Sequence, residues 1–178
     1  MSTEVTNKDW YILYKNKTNC EYLQKILQKT GVSYYNATSI VEECDGEQII
    51  RKEYDSIKNL IFIQPCELVH QYLNRIKTDF GLEVIPYNDC MTGDIASVCD
   101  EEMQRFIMLC KKEPESIEIL KDKFEKFKDK PCVRIKAGPY EGLEGRLVRI
   151  RRDRKVVISL GTNAISISGV HFSLLEFI

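Results

Sequence analysis

The chain has 178 residues, a length that allows one domain or two small ones. Hydrophobic residues make up 43% of it, which is ample for a globular core. The formal net charge of −1 means that the chain as a whole has no excess positive charge to attract nucleic acid. Residues 1–131 hold 18 basic and 23 acidic side chains, whereas residues 132–178 hold 8 and 4. The resulting net charges of −5 and +4 predict an acidic module followed by a basic one.

The cysteine content argues against a disulfide framework and against a structural zinc site. The seven cysteines form no C-x-x-C pair, and the sequence has only two histidines. Free thiols are typical of a reducing compartment. The sequence shows neither a signal-peptide pattern nor an apolar run of membrane-spanning length, so we expect a soluble, cytoplasmic protein with no membrane partner.

The N-terminal residues predict a strand followed by a helix. Trp10–Tyr14 holds five β-prone residues. Thr18–Glu21 fits a capping box, in which the hydroxyl and the glutamate bond the first free amides of a helix. Leu23 and Leu27 follow at helical spacing, and Gly31 suits the left-handed residue that ends a helix.

Three strands are predicted next. Tyr34–Glu43 and Gln48–Tyr54 are rich in β-prone residues, and Cys44–Gly46 between them contains the Asp-Gly pair of a tight hairpin. Leu60–Ile63 is short and wholly apolar, which is typical of a strand at the centre of a sheet.

The following segment predicts two more helices. Pro65 suits the start of a helix that buries one apolar face, and a strand is expected at Leu82–Pro86. Asn88–Ser97 has the composition of a loop. The acidic run that begins at Asp100 favours a helix start, because negative charge offsets the positive end of the helix dipole.

A charged linker is expected over residues 113–131. Alternating basic and acidic residues fill it, and the spacing of its apolar residues predicts a short helix over Ile117–Phe127. Pro131 stops any helix just before the next module.

The stretch Val133–Leu160 has the pattern of a KOW motif, a small barrel module of transcription and ribosomal proteins. Gly138 and Gly142 permit a positive φ at a sharp reversal, and Gly145 suits a bulge or a close backbone approach. Five short strands suit a small barrel. They are predicted at Val133–Lys136, Arg146–Ile150, Val156–Leu160, Ala164–Ser168 and Phe172–Ile178.

No catalytic motif is found, so the sequence points to a binding protein without a cofactor or metal rather than an enzyme. The basic residues of the barrel module crowd one hairpin, Arg146–Lys155. They fit an RNA or phosphate footprint, with Arg149 and Arg151 as candidate contacts. They fit equally a solvated hairpin that keeps a small barrel soluble.

Two stretches together resemble one family. The opening Trp10–Lys15 is similar to that of the N-terminal (NGN) domain of NusG-type transcription elongation factors, and especially to the W-Y-x-L-Y opening of the paralogue RfaH. The order of elements is also similar, and the KOW module follows a linker as in that family. Ser56–Phe62 resembles the family's F-P-[GN]-Y-x-F segment without its proline and tyrosine. The chain looks most like the UpxY-type antiterminators of Bacteroides capsular polysaccharide operons.

The resemblance implies an α+β fold and a set of contact residues. The expected fold is an NGN-like antiparallel sheet with flanking helices over residues 8–112, followed by an SH3-like KOW barrel over 132–178. In the family an apolar patch of the NGN domain binds the clamp helices of the largest subunit of RNA polymerase. The matching positions here are Tyr14, Ile57, Leu60 and Trp10, and His70 matches a segment near the polymerase gate loop.

Other partners follow from the same resemblance. The KOW turn of the family binds ribosomal protein S10 or Rho, and Tyr140 and Leu143 fall in that turn. Reading an operon leader would require contact with nascent RNA or non-template DNA, for which Lys15, Lys17 and Lys25 are candidates.

The function that the resemblance implies is transcription antitermination in one long operon, for example one for polysaccharide synthesis. Two alternatives stay open at this point. The chain could be a general NusG-type elongation and termination factor, or a KOW-type protein that binds RNA or ribosomes without polymerase contact.

Overall fold

A computed structural model describes most of the chain, with only the backbone described over residues 39–45 and 48–55. The described residues are 9–16, 18–45, 48–55, 57, 59–89, 92–112 and 116–178. Within them lie three α-helices, α1 (Cys20–Thr30), α2 (Val69–Phe80) and α3 (Asp100–Lys112). The strands of the same residues are β1 (Trp10–Tyr14), β2 (Ser33–Tyr35), β3 (Thr38–Asp45), β4 (Gln48–Asp55), β5 (Leu60–Gln64), β6 (Ser97–Val98), β7 (Ile117–Lys123), β8 (Cys132–Ile135), β9 (Glu144–Ile150), β10 (Asp153–Leu160), β11 (Asn163–Ile167) and β12 (Leu175–Phe177).

The fold class is mixed α+β, as predicted, and every strand pairing is antiparallel. The chain divides into two compact units. The first comprises Met1–Asn36 with Lys58–Met103, and the second comprises Ala37–Ile57 with Gln104–Ile178. The predicted division at 8–112, 113–131 and 132–178 stays a prediction.

The first unit is built on a four-stranded sheet in the order β2-β5-β1-β6. Strand β5 lies inside it, as its wholly apolar sequence predicts, and the side chains of Ile61, Phe62 and Ile63 have no solvent exposure. Apolar residues of α1, α2 and the strands form one core, which includes Leu13, Leu23, Leu27, Ile63, Tyr72 and Ile76. The Tyr72 hydroxyl is 2.7 Å from that of Thr30, and burial raises the pKa of Tyr72.

The second unit contains a six-stranded sheet in the order β12-β8-β9-β10-β11-β7. All five strands predicted after residue 131 are present, with somewhat different ends. Phe127, Val148, Val157 and Ala164 form a core cluster on this sheet. The expected barrel is not closed, because no pairing joins the outer strands β12 and β7 among the described residues.

The predicted strand Tyr34–Glu43 is wrong as a single element. It is divided at Asn36 and Ala37, because β2 pairs with β5 whereas β3 pairs with β4 in a separate sheet. The β3–β4 hairpin itself is confirmed, with Asp45 opposite Gln48. Gly46 of the predicted turn lies outside the described residues.

The predicted helix over Ile117–Phe127 is also wrong. Its first part is strand β7, which pairs with β11 through Ile117 opposite Ile167 and Ile119 opposite Ile165. A 3₁₀ turn, Phe124–Phe127, follows. Nonlocal pairing with β11 therefore overrides the helical spacing of the apolar residues.

Two local predictions fail for reasons of hydrogen bonding. Leu82–Pro86 is not a regular strand, since only a single bridge, between Pro86 and Leu13, joins it to β1. The predicted capping box is not formed either: the N-cap of α1 is Asn19 rather than Thr18, and Asn19 makes no side-chain cap bond. The Asn19 N–H donates instead to Asn16 Oδ1, at 2.7 Å.

Gly145 is the one position in β9 where a side chain would not fit. A Cβ there would lie 2.6 Å from Val156 Cγ1 and 2.8 Å from the carbonyl oxygen of Val157. The sequence predicts a bulge or a close backbone approach at this glycine, and the close approach is present. A methyl group would push against the backbone of β10, which cannot rotate away as a side chain can.

We therefore expect Gly145→Ala to lower the free energy of unfolding by about 1–3 kcal/mol in urea denaturation. Lys121→Ala, at an exposed position of β7, should change it by less than about 0.5 kcal/mol. An unchanged stability of Gly145→Ala would contradict the close packing of β9 on β10.

Candidate functional site

An exposed apolar patch lies at the end of β1 in the first unit. We call it the Tyr14 patch and define it as Tyr14, Ile85 and Tyr87. The side chains of Tyr14 and Ile85 are 44% and 63% exposed. The ring centroids of Tyr14 and Tyr87 are 5.3 Å apart, with the rings tilted by 50°. A cavity of about 100 Å³ lies beside Tyr14 and Ile85, with Leu82 and Val84 in its wall.

Backbone hydrogen bonds hold the Tyr14 patch together. The Tyr14 N–H donates to the carbonyl of Ile85 at 2.8 Å, and the Tyr87 N–H donates to the carbonyl of Ile12 at 2.9 Å. The segment 85–87 is therefore fixed along one edge of β1, and the two aromatic rings meet because their backbones are paired. Such a preformed surface loses little conformational entropy when a partner covers it.

The other residues that resemble the family's polymerase patch are buried. Trp10, Leu60 and Ile57 are only 5%, 6% and 5% exposed. Leu60 is opposite Tyr14 in the β1–β5 pairing, so the structure brings these two positions together but exposes only one. His70 is exposed near the start of α2, beside Leu68, which is 56% exposed.

Trp10 has a structural partner. Its Nε1–H donates to Asp100 Oδ1 at 2.7 Å, and this bond joins β1 to the first turn of α3. A hydrogen bond to a carboxylate is stronger than one between neutral groups. Asp100 also lies where a negative charge offsets the helix dipole.

We expect Trp10→Phe to lower the free energy of unfolding by about 1.5–3 kcal/mol, because it removes a hydrogen bond to the charged Asp100 carboxylate. Asp100→Ala should have an effect of similar size, and chemical denaturation of the double variant should show the two losses to be less than additive. Asp100→Asn retains an acceptor oxygen and serves as the milder control. Full additivity would contradict a direct coupling.

The lysines near the first helix are placed very differently from one another. Lys15 is 5% exposed, and its Nζ donates to Asn36 Oδ1, so little of its charge is available to a phosphate. Lys25 is exposed on α1. Lys17 lies outside the described residues.

The predicted partner residues of the KOW turn are largely covered. Tyr140 is 4% exposed and Leu143 is partly buried. Both line a cavity of about 240 Å³ together with Met108 and Leu109 of α3. The Lys112 side chain donates to the carbonyl of Pro139 at 2.7 Å, within the same unit. A partner that reached Tyr140 would first have to displace this helix end.

A cationic groove lies beside the β9–β10 hairpin in the second unit. We call it the arginine groove and define it as Arg149, Arg152, Arg154, His171 and Phe172. These residues, with Asp153 and residues 169–170, surround a cavity of about 570 Å³. The guanidinium of Arg154 lies over the Phe172 ring, 4.7 Å from its centroid. Phe177 stands edge-on to Phe172, with 6.0 Å between the ring centroids.

Sequence reasoning found part of each surface. Tyr14 and Arg149 were candidates, and both are exposed. Arg154 belongs to the basic hairpin that the sequence identifies. The sequence does not identify Ile85, Tyr87 and Phe172 as site residues, because each gains its role from a residue far away in sequence. The sequence carries one signal for the Tyr14 patch. Ile85 stands next to Pro86, and a proline is typical of the edge of a sheet rather than of an interior strand.

No protein-family model matches the chain, and no curated protein matches it. Among the described residues no helix combines the length and the apolar character needed to cross a membrane. The same part of the chain contains no group of three or more His, Cys, Asp or Glu side chains arranged to hold a metal ion.

Proposed function

We propose that the chain is a non-catalytic transcription factor that binds elongating RNA polymerase through the Tyr14 patch and promotes read-through of one class of long operon. The observation that carries the proposal is the exposed pair Tyr14 and Ile85, at the end of the strand whose sequence resembles the NusG-type opening. The clamp helices of the polymerase are the proposed partner.

The chemistry of the Tyr14 patch suits a helical partner. Two tilted tyrosine rings and an isoleucine present rigid apolar surface next to a small cavity, into which an aliphatic side chain can fit. Aromatic anchors of this kind dominate the binding energy of many interfaces, and amphipathic helices bind through a few such anchors. The tyrosine hydroxyls can keep hydrogen bonds at the rim.

The proposed mechanism needs no catalytic group. A factor that bridges the clamp and the opposite side of the cleft binds the closed clamp better than the open one. Such differential binding shifts the polymerase toward the closed, elongating state, by as much as the two affinities differ. Pausing and termination are then suppressed while the factor stays bound.

We expect the double variant Tyr14→Ala with Ile85→Ser to reduce co-purification of RNA polymerase with the tagged chain at least tenfold, since each anchor of this kind contributes more than about 1 kcal/mol. Quantitative pull-down from cell lysate measures the loss.

Tyr22→Ala provides the matched control. Tyr22 is also an exposed tyrosine of the first unit, at 47% exposure, and it lies on α1. It should retain full polymerase binding. If the Tyr14 patch variant retains it too, the proposed surface is wrong, and a KOW-type RNA- or ribosome-binding role without polymerase contact becomes the better explanation.

A gene deletion distinguishes a specialised factor from a general NusG-type factor. We expect viable cells in which the promoter-distal transcripts of one long operon are lost, while its promoter-proximal transcripts remain, measured by RNA sequencing. Loss of viability, or an effect spread over many operons, would favour the general factor.

A further inference from the structure

We propose that the arginine groove binds single-stranded nucleic acid, with a base stacked on the Arg154–Phe172 pair and phosphates on Arg149 and Arg152. This site lies in the second unit and takes a different class of ligand from the Tyr14 patch. It does not depend on polymerase binding, so the two proposals can fail separately.

The charges around the groove favour an anion. Three arginines and one acidic residue, Asp153, line it. Among the described residues, the guanidinium groups of Arg149 and Arg152 take part in no ion pair. Unpaired arginines beside an open cavity are typical of a phosphate site, because the guanidinium fork matches two phosphate oxygens. The cavity, at about 570 Å³, is within the range of ordinary ligand sites.

The aromatic rings specify what kind of anion. Phe172 and Phe177 are 45% and 56% exposed, although apolar rings of this size are usually covered. Arg154 lies over the Phe172 ring, and both a phenyl ring and a guanidinium plane are surfaces on which bases stack. An acidic protein segment would need the arginines but not the rings. A duplex would keep its bases stacked on one another, out of reach of Phe172.

The turn at the tip of the hairpin adds an independent argument. Ile150 is opposite Asp153, so the turn has two residues, Arg151 and Arg152, with φ of 51° and 71°. Positive φ at both central residues is the signature of a type I′ turn, for which Asn-Gly is the favoured sequence. Two arginines hold this conformation at a cost in stability. Such strain often marks a functional site, and one of the two turn residues, Arg152, lines the groove.

The test measures binding of the full chain to fluorescent oligouridylate and oligothymidylate of about ten nucleotides by anisotropy. Phe172→Ala should weaken binding about tenfold, as expected for a lost stack, while Phe172→Leu tests whether apolar bulk alone suffices. Arg149→Gln should reduce the salt dependence, lowering the slope of log affinity against log salt by about 0.7. Preference for either RNA or DNA supports the proposal and identifies the source of the strand.

A second variant separates binding from folding. Arg151→Asn with Arg152→Gly supplies the favoured turn sequence, so it should raise the urea midpoint of unfolding while it weakens oligonucleotide binding several-fold. Lys121 lies on β7, near the residues of β11 that pair with the end of β10 farthest from the turn. Lys121→Gln removes this exposed positive charge and should leave binding unchanged.

Three results would overturn the proposal. They are unchanged affinity in Phe172→Ala, equal affinity for a duplex of the same length, and competition by polyglutamate as effective as that by the unlabelled oligonucleotide. The last would identify the groove as a site for acidic protein segments. None of these three results depends on whether the Tyr14 patch variant loses or retains polymerase binding.

Discussion

The backbone pairing of β1 on both edges is the constraint on which the first unit depends. β5 pairs with one edge, and β6 and the segment 85–87 bond the other. A slip of one residue would turn every side chain of β1 to the opposite face and remove both the buried Leu13 and the half-exposed Tyr14 from their present places. Because two sets of neighbours fix the same register, the exposed end of β1 is a rigid surface.

The sequence predicts the local elements well where one period dominates. Helix α1 ends at Thr30, and the φ of 68° at the next residue, Gly31, is the left-handed conformation expected there. The strands after residue 131 follow alternation and glycine turns. The prediction fails where the same residues fit both the spacing of a helix and the alternation of a strand. Ile117 and Leu120 have helical spacing, but Ile117 and Ile119 alternate, and only the distant β11 decides in favour of the strand.

The same limit applies to the surfaces. Sequence identifies which side chains can bind, but exposure depends on the fold: Lys15 and Tyr14 are neighbours, yet one is buried and the other half-exposed. The lysine charge is held by a side-chain bond to Asn36, a residue 21 positions away. The pairing of Arg154 with Phe172 likewise requires the chain to return through β11. No local pattern contains that information.

The two proposed binding surfaces differ in their physics. The Tyr14 patch is apolar, so its affinity depends on buried area and changes little with salt. The arginine groove is cationic, and ions of the solution compete with every phosphate it holds. The chain as a whole has a net charge near zero, and its first 131 residues are acidic, so it has no general attraction for nucleic acid. Any strand that binds must therefore be recognised locally, where three arginines surround an exposed aromatic ring. On this proposal, a nearly neutral protein would hold a strand only at the groove and would not be bound along the whole length of a transcript.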